Sequence, residues 1–191
     1  MNIIMKSIVI VKNKELVYNM ENNKIKINES VKLYNDLILV RHAEAVEDNS
    51  ISNNLLTLST LGILQAQEVS KLLKNKFDIV FSSTSKRAIM TANIILQGKE
   101  PIQDERLLER GWGNSKQDGK ETNEEAKIRF TNFLKEIIEN YKNKRIVLVT
   151  HGALIKLAQD VIESNSTERE RVNNCTTIKY NKDKEKKILR R

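Results

Sequence analysis

Only two histidines occur in the 191 residues, and each stands directly after an apolar run: Leu37-Ile38-Leu39-Val40-Arg41-His42 and Ile146-Val147-Leu148-Val149-Thr150-His151-Gly152. Imidazole serves as nucleophile, as general acid or base, or as metal ligand. Its neighbours decide between these. Arg41 precedes the first histidine, and a third segment, Phe81-Ser82-Ser83, leads to Lys86 and Arg87. Guanidinium groups repel a cation but clamp a phosphate dianion through bidentate, charge-assisted hydrogen bonds. Phosphate handling is therefore the leading chemistry, with no metal and no cofactor expected. The rival is a zinc site built from His42, His151 and Glu44. A blander alternative has each histidine merely satisfying a backbone carbonyl.

The elements that must position these groups can be read from the patterning. From Asp36 onward, apolar strands alternate with helical periods, the sign of βαβ units. Strands are expected at Leu37 to Val40, Asp78 to Phe81, Ile146 to Thr150 and Thr176 to Tyr180. In open α/β sheets the carboxyl ends of strands border the ligand crevice, so both histidines can meet there. The helix after Ser83 adds an anion-favouring N-terminus. Amphipathic helices are expected around Leu61, Leu64, Val69, Leu72 and Leu73, around Ala88, Ile89, Ala92, Ile95 and Leu96, and after His151 on Leu154, Leu157, Ala158 and Val161. Another opens on the capping-box sequence Thr122-Asn123-Glu124-Glu125 and continues through Ala126, Phe130, Phe133, Leu134, Ile137, Ile138 and Tyr141. The fold class is thus α/β, a mostly parallel central sheet with helices on both faces. Residues 1–35 alternate short β-like runs with polar breaks and form an N-terminal β appendage; residues 36–191 form the main domain.

Composition excludes several classes. Hydrophobic residues at 39% and charged residues at 30% are those of a globular chain. The longest apolar runs are four residues, against roughly 20 for a bilayer span, and no signal-peptide core is evident. The single Cys175 allows no internal disulfide. A cytoplasmic protein without membrane contact is the expectation. Much of the net charge of +8 lies at one end, where Lys179 to Arg191 holds seven Lys or Arg against Asp183 and Glu185. This reads as a solvated terminal strand and tail rather than a nucleic-acid surface, since no aromatic residues are interleaved for base stacking. Oligomeric state is not encoded in any visible pattern.

Several motifs in register give the chain a resemblance to the histidine phosphatase superfamily, branch 1, which includes the phosphoglycerate mutase-like phosphatases. Arg41-His42-Ala43-Glu44 is similar to its Arg-His-Gly-Glu signature. Leu58-Ser59-Thr60-Leu61-Gly62 with Gln65-Ala66 resembles its Leu-Thr-x-x-Gly-x-x-Gln-Ala helix start. Ser82-Ser83 through Arg87-Ala88 and Thr91-Ala92, Leu107-Leu108-Glu109 with Gly113, Gly119-Lys120-Glu121-Thr122 through Arg129, and Thr150-His151-Gly152 follow in the family's order. The chain departs from the pattern at Asp48, where asparagine is usual, and in the short stretch between Glu109 and Gly119, where relatives often carry a longer lid. A short lid implies an open pocket.

The resemblance implies that His42 is a nucleophile forming a phosphohistidine, that Arg41, Arg87 and His151 surround the phosphoryl oxygens, and that Glu109 is the proton donor. Substrate contacts are implied for Arg41, Arg87, His151, Gly152 and Asp48. The expected activity is metal-independent hydrolysis of a small phosphorylated metabolite, with mutase activity disfavoured because a mutase must exclude water. Two alternatives stand beside it: a phosphatase for phosphohistidine in a partner protein, since Arg41 to Ala45 is also similar to the small protein-phosphohistidine phosphatases, and an idle phosphate-binding module. Ser59 reads as a helix cap, and Glu44 as a partner of either Arg41 or substrate.

Overall fold

The structure, a computed structural model, describes residues 35–110, 121–163 and 171–191 in full, and three strands of the N-terminal stretch as backbone. Two units are present, Met1–Ser30 and Val31–Arg191. In the first, β1 (Lys6–Val11), β2 (Lys14–Asn19) and β3 (Lys24–Ile25) pair antiparallel in that order.

The second unit holds β4 (Asp36–Arg41), α1 (Thr60–Leu73), β5 (Ile79–Ser82), α2 (Lys86–Ile95), β6 (Ile102–Gln103), α3 (Asn123–Asn140), β7 (Arg145–Thr150), α4 (Gly152–Glu163), β8 (Thr177–Tyr180) and β9 (Lys186–Arg190). Its six-stranded sheet runs β6-β5-β7-β4-β8-β9. The first four strands are parallel, and β8 and β9 are antiparallel additions. Alternate residues of β4 face opposite layers, as a strand period of two requires. Leu37 and Leu39 pack with Phe130, Phe133, Leu154 and other residues of α3 and α4, whereas Ile38 and Val40 pack with Ala66, Val69, Ala88 and Ala92 of α1 and α2. Burial on both faces explains the unbroken apolar runs that precede both histidines.

The capping box forms as the sequence requires: Thr122 Oγ1 accepts from Glu125 N, and Glu125 Oε2 accepts from Thr122 N at 2.9 Å. Two expectations change. The buried stripe of α1 is Gly62, Ala66, Val69 and Leu73, leaving Leu61 and Leu64 51% and 54% exposed. Gly62 sets this orientation, because a Cβ there would meet the Glu44 carbonyl oxygen at 2.0 Å. The basic end is not a loose tail. Its residues form β8, a turn and β9, and Lys179, Lys186 and Arg190 pair with Asp36, Glu163 and Glu68. Among the described residues, no helix is long and apolar enough to cross a membrane.

Candidate active site

Strand register brings the two histidines together. In the parallel pairing of β4 with β7, Arg41 lies opposite Thr150, and the ladder continues one residue further through His42 N donating to Thr150 O at 2.8 Å. On the other side of β7, Ser82 lies opposite Val149 and Ser83 N donates to Val149 O at 2.9 Å. His42, His151 and Ser83 therefore leave three adjacent strands at one level. The imidazole centroids are 5.0 Å apart at an interplanar angle of 64°.

Hydrogen bonds fix the tautomers. His42 Nδ1 is 2.7 Å from Ala43 O. A carbonyl only accepts, so Nδ1 carries the hydrogen and Nε2 keeps its lone pair. That lone pair accepts from Arg87 Nε at 3.1 Å. Arg87 NH2 reaches His151 Nδ1 at 3.2 Å, so Nδ1 accepts there too, and the hydrogen on His151 Nε2 is directed at Ser83 Oγ, 2.9 Å away. Both rings are neutral. Burial, aided by the Arg87 and Arg41 charges, lowers the His42 pKa to about 3, and burial with neighbouring positive charge depresses His151 as well.

The arginines differ in how they are held. Arg87 leaves the first turn of α2, and its NH1 donates to both the backbone oxygen and Oδ1 of Asn53 at 2.6 Å. Arg41 donates from NH1 to Val172 O at 2.9 Å, while its buried Nε has no hydrogen-bond partner. A buried unsatisfied donor is costly and calls for a ligand.

Glu109 lies on the loop after Leu107 and Leu108. Its Oε1 accepts from Arg110 N at 3.0 Å, and Oε2 lies 3.5 Å from Ala153 N in the first turn of α4. Its arginine neighbours are engaged elsewhere, Arg106 with Asp104 and Glu136, and Arg110 with Asn123. Arg129 holds the loop in place: it grips Glu121 through two 2.6 Å bonds and donates to the Arg106 and Leu108 carbonyls. Thr150 Oγ1 adds a 2.6 Å bond to Leu107 O. Arg41, Glu109 and Gly152 border a cleft of about 570 Å³.

Asp48 does not join this cluster. Its carboxylate accepts from Ser50 N and Oγ in an exposed turn. Asn53 is the side chain of that loop that reaches Arg87, and the run Asn49 to Asn54, polar but for Ile51, offered no spacing to single it out. Glu44 binds neither Arg41 nor the cleft; it accepts from Ser59 Oγ at 2.7 Å, while Ser59 caps α1 by accepting from Gly62 N. Among the described residues, no three His, Cys, Asp or Glu side chains are grouped to hold a metal. Trp112, Gly113 and Gly119, with the stretch expected to form a short lid, lie outside the described residues.

The family model of the histidine phosphatase superfamily (branch 1) matches residues 37–120 and 114–191. The chain belongs to this superfamily. It is 28% identical over 178 residues to phosphoglycerate mutase-like protein 4 of Arabidopsis thaliana, covering 75% of this chain and 77% of that one. It is 39% identical over 83 residues to the putative phosphoserine phosphatase 2 of Hydrogenobacter thermophilus, 40% and 41% of the two chains. Among histidine phosphatase folds, a phosphoserine phosphatase mutant of Entamoeba histolytica bound to phosphoserine superposes with TM-score 0.58 at 24% identity, covering 81% and 94% of the chains. Phosphoglycerate mutase of Bacillus anthracis does so with TM-score 0.62 at 19% identity, covering 80% and 90%.

Proposed function

We propose that this histidine phosphatase hydrolyses a small phosphomonoester through a phosphohistidine on His42, without a metal ion. The observation that carries this reading is the neutral His42 ring with its Nε2 lone pair turned toward the Arg87 guanidinium. A nucleophile unprotonated at neutral pH thus stands beside a cation suited to phosphate.

In the first step Nε2 attacks phosphorus, and the bond from phosphorus to the leaving oxygen breaks. The lone pair is free to attack because Arg87 has by then moved its donors from the imidazoles to phosphoryl oxygens of the bound substrate, and Arg41 satisfies its orphan Nε on another. His151 Nδ1 becomes a donor by taking up a proton, which the dianion favours. Glu109 gives its proton to the leaving oxygen. In the second step water attacks phosphorus, its proton passes to Glu109, and the phosphorus–nitrogen bond breaks to free His42. The phosphoserine phosphatase names among the relatives support hydrolysis, and the mutase names among them make transfer to a second hydroxyl the reading to test against it.

The test is p-nitrophenyl phosphate with excess chelator, comparing wild type with His42→Ala. Chelator-resistant turnover that falls at least about a thousandfold in the variant is expected, the scale of losing a covalent nucleophile. Equal rates in the two proteins sink the assignment. Release of inorganic phosphate from phosphoglycerate, rather than an isomeric phosphoglycerate, separates hydrolysis from mutase action.

A further inference from the structure

We infer that Ser85 and Ser83 are a positioning pair for His151: their hydroxyl oxygens hold the hydrogen on its Nε2, so that Nδ1 stays turned toward the phosphoryl group throughout the reaction. This rests on the phosphatase reading above and adds to it the residues that control the second histidine. Ser85 stands at the N-cap of α2, where a serine side chain ordinarily accepts from an N–H of the first helical turn. It makes no such bond. Its Oγ lies 3.3 Å from His151 Nε2 instead, beside Ser83 Oγ at 2.9 Å, and both serines are fully buried. Among the described residues, the side-chain partners of the Ser85 hydroxyl are His151 and Ser83 alone. The helix start forgoes its cap, and the imidazole gains a second acceptor.

The direction of the hydrogen follows from the far side of the ring. Arg87 NH2 donates to His151 Nδ1, which places the ring hydrogen on Nε2 and makes the serines its acceptors. Ser83 is set for that role. Its Oγ takes the Ser85 N–H at 3.3 Å and its own hydrogen is directed at Ser85 Oγ, 3.5 Å away, leaving a lone pair for the ring. With Nε2 held in this way, Nδ1 becomes a donor to phosphate by binding a proton and not by exchanging one neutral tautomer for the other. The charged and titratable groups facing the ring are Arg41 and His42 at the end of β4, Arg87 of α2 and Arg129 of α3. Glu109 is turned to Arg110 N and Ala153 N. A carboxylate behind Nε2 would keep the ring charged at all times. Neutral hydroxyls support the cation without creating it, so His151 is protonated while the phosphoryl dianion is present and neutral once phosphate leaves.

The experiment is nitrogen NMR of the imidazole rings in the full chain bound to tungstate, a tetrahedral dianion near neutral pH. The chain has two histidines, so His42→Asn assigns the His151 signals. In the wild-type complex His151 should carry both ring hydrogens at pH 7. In Ser83→Ala/Ser85→Ala, with an unchanged circular dichroism spectrum, its titration in the complex should move about one pH unit lower, because a charged donor makes a hydrogen bond about twice as strong as a neutral one. Turnover of p-nitrophenyl phosphate should fall about tenfold. Ser85→Ala alone should give part of the shift, and Ser85→Cys, which keeps the shape but offers only a weak acceptor, should match it. The inference is overturned if wild-type His151 stays neutral under tungstate, if the double variant titrates with wild type, or if Ser85→Cys keeps the wild-type titration. It is overturned equally if Ser85→Ala lowers Tm without moving the titration, the behaviour of an ordinary cap. Absence of turnover by wild type, or equal turnover by His42→Ala, would end the phosphatase reading alone, since the titration in the tungstate complex needs no reaction.

Discussion

Arg87 Nε donates to His42 Nε2 across 3.1 Å while its NH2 reaches His151 Nδ1, so one guanidinium occupies the lone pairs of both imidazoles. An incoming phosphate must take that guanidinium over. Substituting Arg87→Met should therefore cost more in transition-state stabilisation than in the availability of His42, which loses only a donor to its lone pair. The expected result is a fall of about a hundredfold or more in kcat/KM on p-nitrophenyl phosphate, with the His42 ring still neutral by NMR at pH 7. A charged His42 in that variant would show that burial does not set its protonation.

Proton uptake should accompany anion binding. His151 Nδ1 accepts in the free protein and its pKa is depressed, so it holds no proton near neutrality. Donation to a phosphoryl oxygen requires one, and a bound dianion raises the pKa toward it. Vanadate affinity should thus rise as pH falls from 8 to 6. Calorimetry in two buffers of different ionisation enthalpy should register a proton taken up in wild type and less in His151→Gln. Equal heats in both buffers after correction would refute the coupling.

The same buried rings make the fold acid-sensitive. An unfolded histidine binds a proton below about pH 6.5, whereas native His42 does so only at about pH 3. Between those values the unfolded state holds the extra proton, so stability is complete above pH 6.5 and is withdrawn as pH falls. At about 1.4 kcal/mol per pH unit, His42 alone should remove about 2 kcal/mol between pH 6.5 and pH 5. Urea unfolding of wild type and His42→Asn at both values isolates that share. A variant that loses as much as wild type would contradict it.

Gly62→Ala tests the contact under the signature loop. Alanine is the better helix former by about 1 kcal/mol, yet its methyl group would collide with the Glu44 carbonyl. Overpacking of this kind costs about 1–3 kcal/mol. Thermal melting should show a lower Tm and activity should fall, because the loop that shifts carries His42. A higher Tm would contradict the close packing of Gly62 on Glu44.

Cys175 gives a chemical check on the core. It is fully buried, and burial raises its thiol pKa to about 12. Native protein should ignore a thiol reagent such as dithionitrobenzoate at pH 8 and react with one equivalent only in denaturant. Rapid labelling of the folded chain would contradict the packing of the segment beneath β4.

The sheet and the helix faces were legible because burial on both sides of β4 and β7 leaves unbroken apolar runs, and the α3 cap has a side-chain signature of its own. The pairing of His42 with His151 followed from two strand ends and needed no further information. The orientation of α1 was not legible, because leucine marks a buried face only on average and here a single glycine contact outranks Leu61 and Leu64. Asp48 and Asn53 exchanged places for a related reason. Loop residues act through the turn they adopt, which no periodicity records, so a position fixed by motif alignment pointed at the carboxylate that caps its own turn. The order in the basic end was hidden because Asp36, Glu163 and Glu68, which pair with Lys179, Lys186 and Arg190, are far away in sequence.

The register of Arg41 opposite Thr150 has an evolutionary consequence. The spacing of the two imidazoles is set by main-chain hydrogen bonds between β4 and β7, so it is indifferent to almost every side-chain change outside the sheet. The groups that border the cleft beyond Arg41 and Glu109 stand on α3, α4 and a loop, outside that ladder. Substitutions at those positions leave the main-chain ladder in place, so the cleft lining is free to vary while the two imidazoles keep their spacing.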